Sequence, residues 1–282
     1  MLILPIVIGN VKEIRSEINN MALEKRQQDI ITWLSPSDPS TNYNKALQQR
    51  HSGTGQWFLS SREYSRWKKE RNSFLWLHGI PGCGKTVLSS TIVKDLQVLE
   101  SESRFILYFY FDFSDASKQS FEKAVRTLIS QLYHKRDDTR SQLNSLYISH
   151  ENGHRQPTIQ LLCNAFENMM EQAGEVFIVL DALDECQTRS ELLSWMKCLL
   201  DFHQMNVHLI VTSRPEQDIR AALEKWTHSR LIIPIQSELV ADDIRSYINA
   251  AVKHHDDLSR WRLRPNVQDE IEVALTKKAD GM

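Results

Sequence analysis

Gly79-Ile80-Pro81-Gly82-Cys83-Gly84-Lys85-Thr86 decides how this 282-residue chain is read. The stretch satisfies G-x-x-x-x-G-K-[ST]. Small residues there let consecutive backbone N–H groups converge on phosphate oxygens, a lysine ammonium reaches the outer phosphates, and a hydroxyl holds Mg²⁺. The bare pattern arises by chance in on the order of one chain of this length in a hundred, and its context lowers that further. Upstream, Phe74-Leu75-Trp76-Leu77 is a continuous apolar run, as a central parallel strand buried on both faces requires. Downstream, Leu88, Ile92 and Leu96 recur every four residues, giving a helix with one apolar face and an N-terminus aimed at the loop. Residues Gly79, Ile80, Pro81, Gly82, Cys83, Gly84, Lys85 and Thr86 are therefore read as a nucleoside-triphosphate cradle, with Lys85 on the outer phosphates and Thr86 on Mg²⁺.

Outward from the loop, four more apolar runs fall at 105–111, 176–180, 208–211 and 231–235. Helical spacing separates them, in Phe121, Val125, Leu128 and Leu132 and again in Leu192, Trp195 and Leu199. The segment from Lys135 to Val176 has room for further helices, one of them near 159–170. Strands alternating with helices predict an α/β fold: a P-loop NTPase with a five-stranded parallel sheet flanked by helices. An N-terminal helical arm is expected over 11–34, with Ile14, Ile18 and Met21 on one side, ended by the Pro- and Ser-rich 35–40. A polar linker is expected over 41–56 and a short helix over 61–70. A C-terminal helical extension follows residue 235, with Val240, Ile244 and Ile248 in phase and a second helix near 267–277. The division expected is 1–50 for the N-terminal helix and linker, 51–236 for the NTPase domain, and 237–282 for the start of a helical extension.

Hydrophobic residues make up 41% and charged residues 25%, enough for one substantial core. Lys and Arg total 34 against 36 Asp and Glu, so no net cationic field favours nucleic acid. The apolar stretch 1–8 is short, interrupted by Pro5 and preceded by no basic region. It fits neither a signal peptide nor a membrane span, and a cytoplasmic location is expected. Cys83, Cys163, Cys186 and Cys198 are too scattered for a disulfide framework or zinc site, and buried reduced thiols are expected. Cys83, beside Lys85 at a helix N-terminus, is the one thiol whose position suggests redox sensitivity.

The run 177–180 ends in Asp181-Ala182-Leu183-Asp184-Glu185, three carboxylates at a strand end, where open parallel sheets bind their ligands. Asp181 is assigned to Mg²⁺, Glu185 to orienting or deprotonating water, and Asp184 to the same work in second place. The bland alternative is a helix start with acids in its first turn; Lys85 tips the balance against it. The run 209–211 closes on Thr212-Ser213-Arg214-Pro215. There Arg214 has the chemistry to sense a terminal phosphate, while Thr212 or Ser213 is read as a helix cap with Pro215 at the first helical position.

GIPGCGKT, VLDALDEC and VTSRPE, in this order and spacing, resemble the NACHT branch of signal-transduction (STAND, NLR-like) ATPases, above all fungal heterokaryon-incompatibility receptors with a nephrocystin-3-like NTPase domain. His51-Ser52-Gly53-Thr54-Gly55-Gln56-Trp57-Phe58 and Phe109-Tyr110-Phe111-Asp112-Phe113 share the likeness, which runs from about residue 35 onward. The resemblance implies a nucleotide switch using ATP, or GTP, with Mg²⁺ and slow hydrolysis, acting in innate-immunity-like signalling. It implies Asp184 and Glu185 supporting hydrolysis, Arg214 sensing the γ-phosphate, the segment 53–55 near the base, and self-association or partner signalling through flanking regions. Ala182 stands where relatives often have glycine, a small-for-small change expected to cost little. The sequence ends at Met282, where relatives run on into a longer helical region, so a fragment or a shortened protein is expected. Two other readings stay open. One is a phosphotransferase whose lid is the basic stretch His134, Lys135, Arg136 and Arg140; the other is a nucleotide-binding adaptor without turnover. No N-K-x-D guanine motif is present, since Lys277-Lys278-Ala279-Asp280 lacks the leading Asn or Thr, and ATP is the default.

Overall fold

The computed structural model describes residues 3–51, 53–202, 205–226, 230–235, 237–254, 260–261 and 264–279. Strands β1 (Ser73–His78), β2 (Arg104–Tyr110), β3 (Glu175–Asp181), β4 (Asn206–Ser213) and β5 (Arg230–Pro234) form one sheet in the order β2-β3-β4-β1-β5. Every pairing is parallel. The five-stranded parallel sheet flanked by helices is thus the observed fold, and all five strands fall on the apolar runs of the sequence.

Period-two alternation divides strands β1 to β4 between two cores. Phe74 and Trp76 of β1, Ile178 and Leu180 of β3, and Leu209 and Val211 of β4 join the larger cluster. This cluster includes residues of helices α6 (Phe121–Lys135), α8 (Ile159–Ala173), α9 (Arg189–Asp201) and α10 (Gln217–Leu223). Leu75, Leu77, Phe177, Val179 and Ile210 point to the other face, where they meet Leu88, Ile92 and Leu96 of α5 (Lys85–Gln97). Phe58 of α3 (Gln56–Leu59) and Tyr64 and Trp67 of α4 (Arg62–Trp67) complete that layer. Burial on both faces is why these strands read as unbroken apolar runs.

Helix α1 spans Ile3–Leu34, and its C-terminal end, Ile30, Trp33 and Leu34, enters the larger core. The stretch 41–56, expected as a polar linker, carries helix α2 (Ser40–Gln49). Asp38 nucleates that helix by accepting from the Ser40 N–H and the Thr41 hydroxyl, and Ala46 is its buried contact. One buried small residue in ten leaves almost no periodic signal to read. The basic stretch after α6 is ion-paired rather than poised as a lid: Arg136 holds Asp138 and Arg140 holds Asp137. Arg136 also donates to the carbonyls of Glu102 and Ala173, just before β2 and β3, so it sits at the end of the sheet opposite the phosphate loop. Beyond α7 (Arg140–Ser149), the remaining helices are α11 (Ser237–His254) and α12 (Pro265–Ala279). No helix among the described residues is long and apolar enough to cross a membrane. Asp280, named in the search for a guanine motif, and the last residues of the chain lie outside the described residues.

Candidate functional site

The loop between β1 and α5 turns on glycine. Gly82 and Gly84 have φ of 80° and 84°, a left-handed region costly for a residue with a Cβ. At Gly79 a Cβ would meet the Cys83 sulfur at 2.6 Å, so the loop closes only around a bare backbone there. Lys85 Nζ donates to the carbonyls of Gly79 at 2.9 Å and Ile80 at 2.8 Å, which ties the ammonium across the mouth of its own loop. Phosphate oxygens are stronger acceptors than carbonyls, so an anion arriving there competes for the same N–H donors.

Thr86 Oγ1 donates to Asp181 Oδ2 at 2.7 Å, joining the first turn of α5 to the end of β3. The other carboxylate oxygen accepts from Ser89 Oγ and Thr212 Oγ1, both at 2.6 Å. Asp181 is buried, and burial pushes its carboxyl above the usual range against the pull of these hydroxyls and of Lys85. A buried carboxylate beside a threonine hydroxyl is a hard oxygen set that suits Mg²⁺, which keeps most of its shell for water and phosphate. Among the described residues no group of three or more His, Cys, Asp or Glu could hold a metal by itself.

Asp184, Glu185 and Arg214 line a separate polar cleft of about 640 Å³, with Phe113, Arg189 and Glu216 on its walls. Arg214 pairs with Asp184 at 2.9 Å. Glu185 accepts from the Phe113 N–H at 2.9 Å. Burial pushes the Glu185 carboxyl up, the Phe113 bond opposes it, and the charges of Asp184, Asp112 and Asp181 add to the rise.

On the other side of the loop lies a cavity of about 590 Å³ with mostly apolar walls. Trp57, Val87, Ile235 and Ile244 line it together with Thr54, Gly55 and the loop residues Gly82, Cys83 and Gly84. It is closed by α11, whose Asp243 Oδ2 accepts from the Gly55 N–H at 2.7 Å. A flat apolar group joined to a phosphate chain would bridge this cavity and the loop.

The family model for nephrocystin 3, N-terminal, matches residues 53–214, more than half of the chain. The chain belongs to the nephrocystin 3 N-terminal family. It is also 25% identical over 296 residues to the vegetative incompatibility protein HET-E-1 of Podospora anserina. That alignment takes in 99% of this chain and 21% of the relative, so the chain spans about a fifth of that protein's length. Among solved structures, that of C. elegans PCH-2 matches with a TM-score of 0.43 and 14% identity, covering 85% of this chain and 62% of the other.

Within this nephrocystin 3 N-terminal chain the site residues read from sequence fall into two groups. Lys85, Thr86 and Asp181 cluster at the loop, whereas Asp184, Glu185 and Arg214 share the neighbouring cleft. Two expectations are corrected. Neither Thr212 nor Ser213 caps α10, which starts at Gln217 after Glu216. Thr212 serves Asp181, and the Ser213 hydroxyl accepts from Trp76 Nε1 at 2.8 Å. Ala182 has a φ of 58°, in the left-handed region that favours glycine, so its backbone is strained where a glycine's would not be. Nor are all four thiols buried: Cys198 is exposed. Sequence reasoning passed over Ser89 altogether, although its position three after Thr86 puts both hydroxyls on one face of α5. Arg189 was also missed; it donates to Glu216, Asp218 and the Asp184 carbonyl, bracing the cleft.

A second polar chain has the residue types of a hydrolase triad without its setting. Ser73 Oγ lies 2.8 Å from His208 Nδ1, and His208 Nε2 lies 3.2 Å from Glu175. Ser73 and His208 are both buried on interior strands, at the end of the sheet away from the loop, so no substrate reaches the hydroxyl.

Proposed function

We propose that the chain is a nucleotide-binding switch module that holds Mg·ATP in the loop 79–86 and hydrolyses it slowly. The observation that carries this reading is the 2.7 Å bond from Thr86 to Asp181, which joins the loop hydroxyl to the strand-end carboxylate at the point where a phosphate-bound cation belongs. In this reading Gly79, Ile80, Pro81, Gly82, Cys83, Gly84, Lys85 and Thr86 cradle the phosphates. Thr86 and Asp181 hold Mg²⁺, which supplies charge neutralisation on the phosphate oxygens. Glu185 takes the proton of the attacking water, Asp184 holds Arg214 until a γ-phosphate offers a better partner, and the base enters the cavity beside Trp57.

ATP is preferred over GTP because the mostly apolar cavity offers few groups for guanine's extra polar edge. The 51–236 unit is the working domain, with 1–50 and 237–282 as flanks through which a signal is passed. The likeness to a vegetative incompatibility protein supports a signalling role in the same class. A switch needs unequal affinity for its nucleotide in two conformations, and α11, bonded to Gly55 across the cavity, is the element that can supply it.

Calorimetric titration with Mg·ATP and Mg·GTP, on the chain and on Lys85→Ala, tests the proposal. Charge-assisted bonds contribute about 1.5–3 kcal/mol each, so Lys85→Ala is expected to weaken binding by about tenfold or more. Equal affinity in the folded variant would refute the assignment. Acceptor-dependent ADP formation would instead favour a phosphotransferase.

A further inference from the structure

Lys118 is only 5% exposed, and a lysine buried so deeply needs partners. Its Nζ donates to Asn42 Oδ1 at 2.6 Å and lies 3.4 Å from Asp115 Oδ2. Asn42 belongs to α2, in the N-terminal flank, whereas Lys118 closes a 3₁₀ turn over Ala116–Lys118 in the loop that follows β2. Because an ammonium can only donate, it fixes the Asn42 carboxamide with its oxygen toward Lys118 and its nitrogen toward Asp112. Nδ2 then donates to Asp112 Oδ2 at 2.9 Å. Ser37 adds a second tie from the flank, since its hydroxyl donates to the Ser117 carbonyl while its N–H donates to Thr127 Oγ1 of α6 at 2.9 Å.

From its other side the same loop reaches Glu185. Asp112 and Phe113 share one peptide unit, and the N–H of that unit is the donor to Glu185 Oε2 at 2.9 Å. The Phe113 carbonyl accepts from Gln119 Nε2, and the Gln119 carbonyl accepts from the Gln187 N–H at 2.7 Å, so the loop is stitched to the segment just after Glu185. Asp112 Oδ1 accepts from the Ser114 N–H at 2.9 Å, which holds this carboxylate by both oxygens. The Phe113 ring is 71% exposed, so backbone hydrogen bonds rather than packing fix the residue. Two hydrogen bonds and one peptide unit therefore connect Asn42 to the Glu185 carboxyl.

We propose that Asn42 is a positioning residue for Glu185, and that the N-terminal flank sets the rate of hydrolysis through the 112–119 loop. Resting on the reading of Glu185 as the base, this gives the 1–50 flank a physical hold on the chemistry, at a residue that lines neither the apolar cavity nor the polar cleft. A general base works only when its oxygen is aimed at the proton it takes, and the Phe113 N–H orients this carboxyl. Displacing α2 loosens Asp112, and with it that N–H.

Hydrolysis rates and calorimetric Mg·ATP binding, measured on the full chain, test the assignment. Asn42→Ala is expected to lower turnover about tenfold, part of the roughly 10²–10⁴-fold that a general base supplies, with affinity unchanged. Phe113→Pro deletes the N–H itself and is expected to slow turnover at least as much. In both variants the acid limb of the pH profile should move to higher pH. The lost bond favours the charged carboxylate, against burial and the charges of Asp184, Asp112 and Asp181. A helix that merely docks less firmly would leave that limb in place. Tyr43→Phe removes the 3.0 Å bond from α2 to Gln97 without touching the loop, and should turn over as wild type does. In a Glu185→Gln background, Asn42→Ala should cost nothing further. With Glu185→Gln alone slow, the proposal is overturned by an Asn42→Ala chain as fast as wild type or faster, by an unmoved acid limb, or by a further loss in the double variant. Equal turnover in wild type and Glu185→Gln would instead refute Glu185 as the base, and the positioning role would fall with it.

Discussion

Arg214 closes on Asp184 with its backbone and its side chain together: the N–H donates to Oδ1 and Nε to Oδ2, each at 2.9 Å. The Asp184 side chain is 3% exposed, so that pairing satisfies acceptors that water scarcely reaches, while Arg214 keeps 44% of its surface in solvent. Arg214→Ala should destabilise the chain by about 1 kcal/mol, the low end of the cost of stranding a buried acceptor because the guanidinium is partly screened. It should also narrow the preference for ATP over ADP. Urea unfolding and paired affinities read the two effects. A variant unchanged in both would leave Arg214 without a role at either partner.

Asp181 supports a stability prediction of opposite sign. An acid whose folded pKa is raised contributes stability below its unfolded pKa of about 3.9, and loses it as pH rises through the folded value. At neutral pH and without a cation, the ionised carboxylate is therefore a cost. Asp181→Asn should raise the melting temperature in EDTA by about 2–4 °C, equivalent to about 1 kcal/mol, while abolishing Mg²⁺-dependent nucleotide binding. A lower melting temperature would make Asp181 a structural residue first.

For Glu185 the prediction lies in the pH profile. A base works deprotonated, and burial reinforced by the neighbouring carboxylates raises this carboxyl. Turnover should thus fall away on the acid side at a pH above the ordinary glutamate value of about 4.3. Glu185→Gln should slow hydrolysis by about a hundredfold or more, erase that acid limb and leave binding intact. Turnover matching wild type would move the proton to another group.

Ala182 should accept glycine at no loss. Its left-handed φ of 58° costs an L-residue about 1 kcal/mol, which roughly offsets the extra chain entropy that glycine brings to the unfolded state. Ala182→Gly should therefore shift the urea midpoint little or upward, whereas Ala→Gly in a helix interior lowers it. A clear drop would mean that the Ala182 methyl packs more usefully than its backbone is strained.

Much of this was legible in the chain because the signals were local. The buried strands write apolar runs, the edge strand β5 writes another, and a loop that wraps phosphate needs its glycines and lysine contiguous. The hydroxyl nest around Asp181 was not legible, since Ser89 and Thr212 come to it from α5 and β4, and nothing near either residue marks it as a partner of β3. Helix α2 escaped notice for another reason: it lies on the surface of the sheet's second layer and needs one alanine, Ala46, to hold it. The pairing of Arg214 with Asp184 is likewise a fact of adjacent strand ends, visible only once β3 lies beside β4.

The bond between Asp243 and Gly55 spans 188 residues of chain and closes the cavity from outside the sheet. For a nucleotide seated as proposed, the phosphates are gripped by the rigid junction of β1 and α5, but the base is retained by a helix that follows the last strand. Departure then has an order: α11 must swing before the base is free, and the phosphates follow. Exchange becomes a property of that outer helix, so a load applied to α11 would set the dwell time of the nucleotide without touching a single residue of the loop.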